Sequence, residues 1–329
     1  MGRDKDKDGD GDGVSAGTGR GSDGSCGEAG PLAPGEVRVY VVDEAAPDLH
    51  ERLDGWRGLM SAEEAARWQR FRLAHLRDRH LAARALVRGV LSLHMPQVAP
   101  RDWRFSQTAH GKPVLDGETA GRIGFNLSHT DGRLVLAVAL APAVGVDIER
   151  RDREAEMLDL ADRFFARGEA AALRALPQAD RRRRFFDLWT LKEAYIKAQG
   201  LGLSLPLSSF EIDFPQAEGR EDGDPGRLTL RLPQDAAPTT ALPGGPGDAP
   251  WHLWCLDAGA DHALALALCG EDDWRPRLFT GLPPGDFRET ACRVLRRTAP
   301  LGQASRPQEA RRRGSQAASA AAFSDDGKP

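Results

Sequence analysis

Five groups of residues have the type and spacing to do chemistry. In Val144-Gly145-Val146-Asp147-Ile148-Glu149, which reads as a strand, residues two apart share a face. Asp147 and Glu149 therefore point one way, and Val146 and Ile148 point into a core. Two carboxylates side by side repel unless a cation lies between them, and hard oxygen donors suit Mg2+. The plainer alternative is a solvent-facing edge with two acids. Downstream, Trp189-Thr190-Leu191-Lys192-Glu193-Ala194-Tyr195-Ile196-Lys197-Ala198 follows Phe185, Phe186 and Leu188. This stretch is apolar nearly all round, which predicts a buried helix. Charges in a dry setting need a reason. Glu193 and Lys197, one turn apart, are either a plain ion pair worth about 0.3–0.5 kcal/mol or part of a site that includes Lys192.

Phe125-Asn126-Leu127-Ser128-His129-Thr130 places Ser128 and His129 at the tip of a hairpin, where a histidine can donate to a phosphate or simply close a turn. Ser128 and His129 are not a nucleophile pair, because adjacent strand residues face opposite ways and no acid is placed to orient the ring. In Gly111-Lys112-Pro113 the proline holds Lys112 extended, so the loop either presents one ammonium to a nucleotide or is ordinary surface. The last group is the run Arg67, Arg70, Arg72, Arg77, Arg79, Arg84 and Arg88. Some of these must be solvated, and a subset can fork onto phosphate oxygens. Arg181 to Arg184 reads as a solvated helix start.

Several elements must position these groups. Residues 36–43 alternate as a strand. Residues 61–93 read as one long helix, opened by a Ser61/Glu64 capping box. Residues 123–129 and 134–140 form a hairpin around Asp131-Gly132, and 144–149 a third strand. Helices are expected over 154–175 and 182–199, the second stopping at Gly200. Strands follow at 208–214, 227–232, 252–257 and 262–269. The sum is helices packed on antiparallel sheets, an α+β class.

Composition narrows the function. The chain has 329 residues, 40% hydrophobic and 29% charged, with a net charge of −4. This argues against a general nucleic-acid binder. The four cysteines lack metal or disulfide spacing and read as reduced thiols. No leader and no apolar run near the roughly 20 residues of a membrane span is seen. A cytoplasmic monomer, with neither membrane nor nucleic acid as partner, is expected. Residues 1–35 read as a solvated tail. The calcium-like run from Asp6 fails because Gly17 stands where the bidentate acid belongs. Residues 275–329 lack periodicity and also read as a disordered tail.

Gly-Val-Asp-x-Glu on a strand, followed about 40 residues later by Trp-x-x-Lys-Glu-Ala-x-x-Lys, resembles the signature pair of 4′-phosphopantetheinyl transferases. The Gly-Lys-Pro loop, the Asn-Leu-Ser-His turn and Gly200-Leu201-Gly202-Leu203-Ser204 are similar to the surfactin-synthetase-activating type of that family. The resemblance covers residues 36–270. It implies two similar α+β halves about a pseudo-twofold axis, here 36–142 and 143–274, with coenzyme A between them. It implies Asp147, Glu149 and Glu193 as Mg2+ ligands, and Lys192 and Lys197 at phosphates. Ser128, His129, Lys112 and Pro113 fall at the adenosine and 3′-phosphate end, with Arg67 and Arg79 of the arginine-rich helix as further phosphate contacts. Glu64 stands where some members have a lysine. The implied reaction is attack of a serine of an apo acyl or peptidyl carrier protein on the β-phosphorus of coenzyme A. Glu193, catalytic here together with Lys197, and a water on the metal are alternative acceptors of the serine proton. A metal-dependent nuclease would want its lysine on the acidic strand, whereas arginines follow Glu149. A catalytically idle module binding coenzyme A or carrier is the other alternative.

Overall fold

The computed structural model describes residues 30–117, 121–151, 157–215, 225–232 and 249–299. The chain runs β1 (Glu36–Asp43), α1 (Leu49–Trp56), α2 (Ala62–Gln69), α3 (Ala74–His94), β2 (Phe105–Gln107), β3 (Pro113–Leu115), β4 (Gly124–Thr130), β5 (Arg133–Ala139) and β6 (Val144–Arg150). Then come α4 (Met157–Phe164), α5 (Arg167–Ala175), α6 (Gln178–Gln199), β7 (Glu211–Asp213), β8 (Gly226–Arg231), β9 (Trp251–Leu256) and β10 (His262–Cys269). Three strands close the described chain: β11 (Arg275–Leu282), β12 (Asp286–Thr290) and β13 (Val294–Thr298).

One sheet has the order β12-β11-β1-β5-β4 and the other β6-β10-β9-β13-β8-β7, with β2 and β3 paired apart. The run Val37 to Val42 is buried on both faces, which explains its nearly unbroken apolar sequence. Val37 and Val39 join Val135, Val146, Ile148, Leu264 and Leu266 in a core between the two sheets. Tyr40 and Val42 face the other way and pack with Leu86 and Val90 of α3. On the outer side of the second sheet, Leu191, Ala194 and Tyr195 of α6 cover Cys255 and Ala265. The layers are helix, sheet, sheet, helix, and the α+β class holds. Among the described residues no helix is long and apolar enough to cross a membrane. Cys255, Cys269 and Cys292 are free thiols.

Several expectations are corrected. Residues 275–298 are not a tail: β11 lies between β1 and β12, and β13 between β9 and β8. Both make parallel pairs, β11 with β1 and β13 with β8, so the sheets are mixed rather than antiparallel. The halves 36–142 and 143–274 thus each receive strands from beyond residue 274. Residues 30–35 are likewise engaged, since Arg38 donates to Gly30 O at 2.5 Å and Pro31 O at 2.9 Å. The helix expected over 61–93 is two helices, α2 and α3. The capping box is formed, with Ser61 and Glu64 each bonding the other's backbone N–H. At the break, Arg77 Nη2 reaches back to Phe71 O at 2.8 Å. The helix expected over 154–175 divides at Phe165-Ala166, where Glu169 accepts from Ala166 N at 2.9 Å. The tail expectations for 1–29 and 300–329, with the calcium-like run, lie outside the described residues.

Candidate functional site

The site forms where β6, the edge of one sheet, meets β4, the edge of the other, beneath α6. α6 ends on Gly200, whose left-handed backbone (φ 72°) lets Gly200 N bond Ile196 O. Gly145 sets how closely helix and strand approach. A Cβ there would lie 2.0 Å from Ala194 O and 2.5 Å from Ala198 N. No other residue permits this contact.

That approach brings Lys197 onto the acidic strand. Lys197 Nζ lies 2.5 Å from Asp147 Oδ1 and 2.9 Å from Ser128 Oγ. Ser128 donates to the same Asp147 oxygen at 2.8 Å and accepts from Ile148 N at 3.4 Å. Asp147 is buried, and its Oδ2 has no partner among the described residues. A buried carboxylate oxygen left bare is costly, so it marks a place for a cation or donor. Glu193 stands one turn before Lys197. Burial first, and then the charge of Asp147, push its carboxyl above the usual range, against the weaker pull of Lys197. Glu149 is half-buried, with Thr130 Oγ1 3.5 Å from its Oε2. Among the described residues no three acids or imidazoles converge as a metal cage. Asp147 and Glu193 nevertheless feel each other's charge, and their donor chemistry fits a hard cation.

His129 is exposed at the surface end of β4. Partial desolvation and then the nearby Arg79 charge keep its imidazole below the usual range. Arg79 is gripped by Glu44 at 2.7 and 2.8 Å, and Glu44 also accepts from Gly132 N in the hairpin turn. Arg67 is exposed on α2, and its charge is felt by His80 and Arg84. Around these helices three buried donors, Trp68 Nε1, Arg77 Nε and Arg84 Nε, and the ring nitrogen His80 Nε2 have no partner among the described residues. Glu64 is an internal anchor, accepting Arg88 Nε at 2.7 Å and Arg84 Nη1 at 3.5 Å.

Two lysines expected at phosphates point elsewhere. Lys192 is fully buried, paired with Glu169 at 2.8 Å and bonded to Leu207 O and Phe210 O at 2.8 and 2.6 Å. All three ammonium hydrogens are used, on the side of α6 away from Lys197. Lys112 is buried too, donating to Val144 O at 2.9 Å and Ala198 O at 3.0 Å. Burial pushes its ammonium down to about 7, while the carbonyl at the end of α6 favours the charged form. Lys112 therefore ties its loop to α6 and does not present a charge. Ser204 Oγ, 3.1 Å from His110 Nδ1, fastens the same loop to the segment after α6. Pro113 opens β3 and is exposed. Asn126 and Thr130, whose roles sequence reasoning missed, also bond β6. The signal was available: polar oxygens at every second position of a strand otherwise apolar.

The model of the 4′-phosphopantetheinyl transferase superfamily matches residues 143–267. The chain is 33% identical over 204 residues to the 4′-phosphopantetheinyl transferase ffp of Bacillus subtilis, covering 61% of this chain and 84% of that protein. It is 32% identical over 227 residues to the 4′-phosphopantetheinyl transferase HetI of Nostoc sp., covering 67% and 94%. To the 4′-phosphopantetheinyl transferase Sfp of Bacillus subtilis it is 31% identical over 204 residues, covering 61% and 84%.

Proposed function

Because this chain belongs to the 4′-phosphopantetheinyl transferase superfamily, we propose that it moves the 4′-phosphopantetheine arm of coenzyme A onto a serine of an apo acyl or peptidyl carrier domain, with Mg2+ as its metal. The observation that carries this reading is the Asp147–Lys197–Ser128 knot, in which Asp147 Oδ2 has no partner among the described residues and the Asp147 charge acts on Glu193. Asp147, Glu193 and Glu149 would hold the Mg2+, which supplies positive charge against the pyrophosphate as negative charge develops there.

In this reading Lys197, held by Asp147 and Ser128 and more loosely by Val146 O at 3.4 Å, is the lysine of α6 whose side chain stays partly exposed, and it turns its ammonium to the pyrophosphate. The carrier serine oxygen bonds to the β-phosphorus as the bond to the adenosine 3′,5′-bisphosphate oxygen breaks. The serine proton passes to Glu193, which stands one turn from Lys197 on α6. His129, Arg79 and Arg67 take the 3′-phosphate end, with Ser128 and Pro113 lining the adenosine side. The three unpartnered donors of α2 and α3, Trp68 Nε1, Arg77 Nε and Arg84 Nε, support an anion there. Lys112 and Lys192 hold these parts together without touching substrate.

Intact-mass analysis of apo carriers incubated with the protein, coenzyme A and Mg2+ tests the reading. The expected result is the mass gain of one phosphopantetheine arm, lost on chelation. Coenzyme A binding with no mass gain on any carrier class would mean an idle module.

A further inference from the structure

β4 and β6 belong to different sheets and share no backbone ladder, yet they run side by side. Three N–H groups on the outward edge of β6 are each taken by a side-chain oxygen of β4. Val146 N donates to Asn126 Oδ1 at 2.9 Å, Ile148 N to Ser128 Oγ at 3.4 Å and Arg150 N to Thr130 Oγ1 at 3.2 Å. Donors and acceptors both repeat every second residue, so the match continues along the seam with one register. A sheet edge normally ends on water or on another strand's carbonyls. Here side chains do that work, which sets the two strands apart by a side-chain length. Into that gap project Asp147 and the Ser128 hydroxyl, with Lys197 above them.

The partners of the middle rung are fixed by function as well as structure, because Ser128 Oγ also contacts Asp147 and Lys197. The outer rungs bind no member of the site except through Thr130 and Glu149. They bracket the two acids: Val146 and Ile148 flank Asp147, and Ile148 and Arg150 flank Glu149. We infer that Asn126 and Thr130 are positioning residues, which fix the register of β6 against β4 and so hold the Asp147 and Glu149 carboxylates where a metal needs them. This rests on the transferase reading above. It adds that the two halves of the site are coupled through three side chains.

Two pairs of variants test it. Asn126→Leu removes the acceptor at similar volume, and Asn126→Asp keeps an oxygen. Thr130→Val removes only the oxygen, and Thr130→Ser restores it. Transfer rate is measured against Mg2+ concentration, with melting temperature and the amide exchange of Val146 and Arg150. Residues that orient a metal ligand typically change metal affinity by about 10–100-fold. Asn126→Leu should raise the Mg2+ needed for half-maximal rate about tenfold by that measure, with the carrier Michaelis constant unchanged, and Asn126→Asp should recover most of the loss. Thr130→Val should do the same more weakly, because Arg150 is exposed and water can replace the lost bond. Equal defects in the Leu and Asp variants, or a fall in melting temperature with unaltered Mg2+ dependence, would overturn the inference. If Asn126→Leu does not fold, the Thr130 pair decides alone. Wild-type transfer indifferent to Mg2+ would instead defeat the metal reading. Faster Val146 exchange, with a lower turnover at saturating coenzyme A in Asn126→Leu alone, would still support positioning, and its absence would end it.

Discussion

Replacing Lys192 by methionine separates a structural from a substrate role for a residue that the family pattern puts at phosphates. Lys192 and Glu169 are 0% and 1% exposed and 2.8 Å apart. Glu169 also accepts Ala166 N and Ile212 N, joining α5, α6 and β7. Removing one partner leaves a buried charge without its counterion, which costs about 3–5 kcal/mol. At about 2–4 °C per kcal/mol for a domain this large, melting should fall by roughly 6–20 °C. The cost is limited because burial already pushes the Glu169 carboxyl up, so the orphaned acid can take a proton. In the variant, a folded pKa above the unfolded one gives stability that is present at low pH and lost as pH rises. The destabilisation should therefore grow from pH 5 to pH 8. Adding Glu169→Gln should recover part of the loss. The assays are thermal melts across pH, and transfer rate per folded molecule below the melting range. Unchanged melting with collapsed transfer would refute the argument and return Lys192 to the substrate.

Gly145→Ala should force α6 off β6, because its Cβ would overlap Ala194 O and Ala198 N. Overpacking costs about 1–3 kcal/mol. Transfer should fall further than melting suggests, as the Lys197–Asp147 contact opens, and near-normal transfer would contradict this. Glu64 supports acid-sensitive stability. Burial raises its pKa, but Ser61 N, Arg88 and Arg84 outweigh burial and lower it below 4.5. Its contribution is present above the unfolded value and lost as pH falls through the folded one. Glu64→Gln should thus lose stability at pH 7, with the gap to wild type narrowing as pH falls below 4.5; a gap constant with pH, by denaturant melts, would refute it. Ending the chain at Gly270 should give insoluble protein, since β11 and β13 leave central places and Tyr40 loses the cover of Phe279 and Phe287. Soluble protein with wild-type melting would show those strands to be dispensable.

What was legible in the sequence was what short-range physics decides. Asp131-Gly132 gave the hairpin, Ser61 and Glu64 the cap, Gly200 the end of α6, and the Asp147/Glu149 alternation the strand that carries them. The β11–β13 strands were not legible. Arg275-Pro276-Arg277 and Pro283-Pro284-Gly285 break the alternation, and both parallel pairings come from partners far away in sequence. The break at 70–73 has neither glycine nor proline to announce it. On α6 the motif supplied the residues but not their faces. Glu193 and Lys197 lie four apart and share one, while Lys192 is turned about 100° from Glu193 and enters the core.

The parallel pairing of β1 with β11 has a consequence for how the protein is made. More than two hundred residues separate Asp43 from Arg275. At about 5–20 residues per second of synthesis, β1 waits roughly 10–50 s for its neighbour. Until then one edge of a strand rich in valine is open, and such edges invite pairing with other chains. The nascent chain is therefore most exposed to misassembly just before its final strands emerge, and a chaperone that shields β1 in that interval should raise yield without altering the finished enzyme.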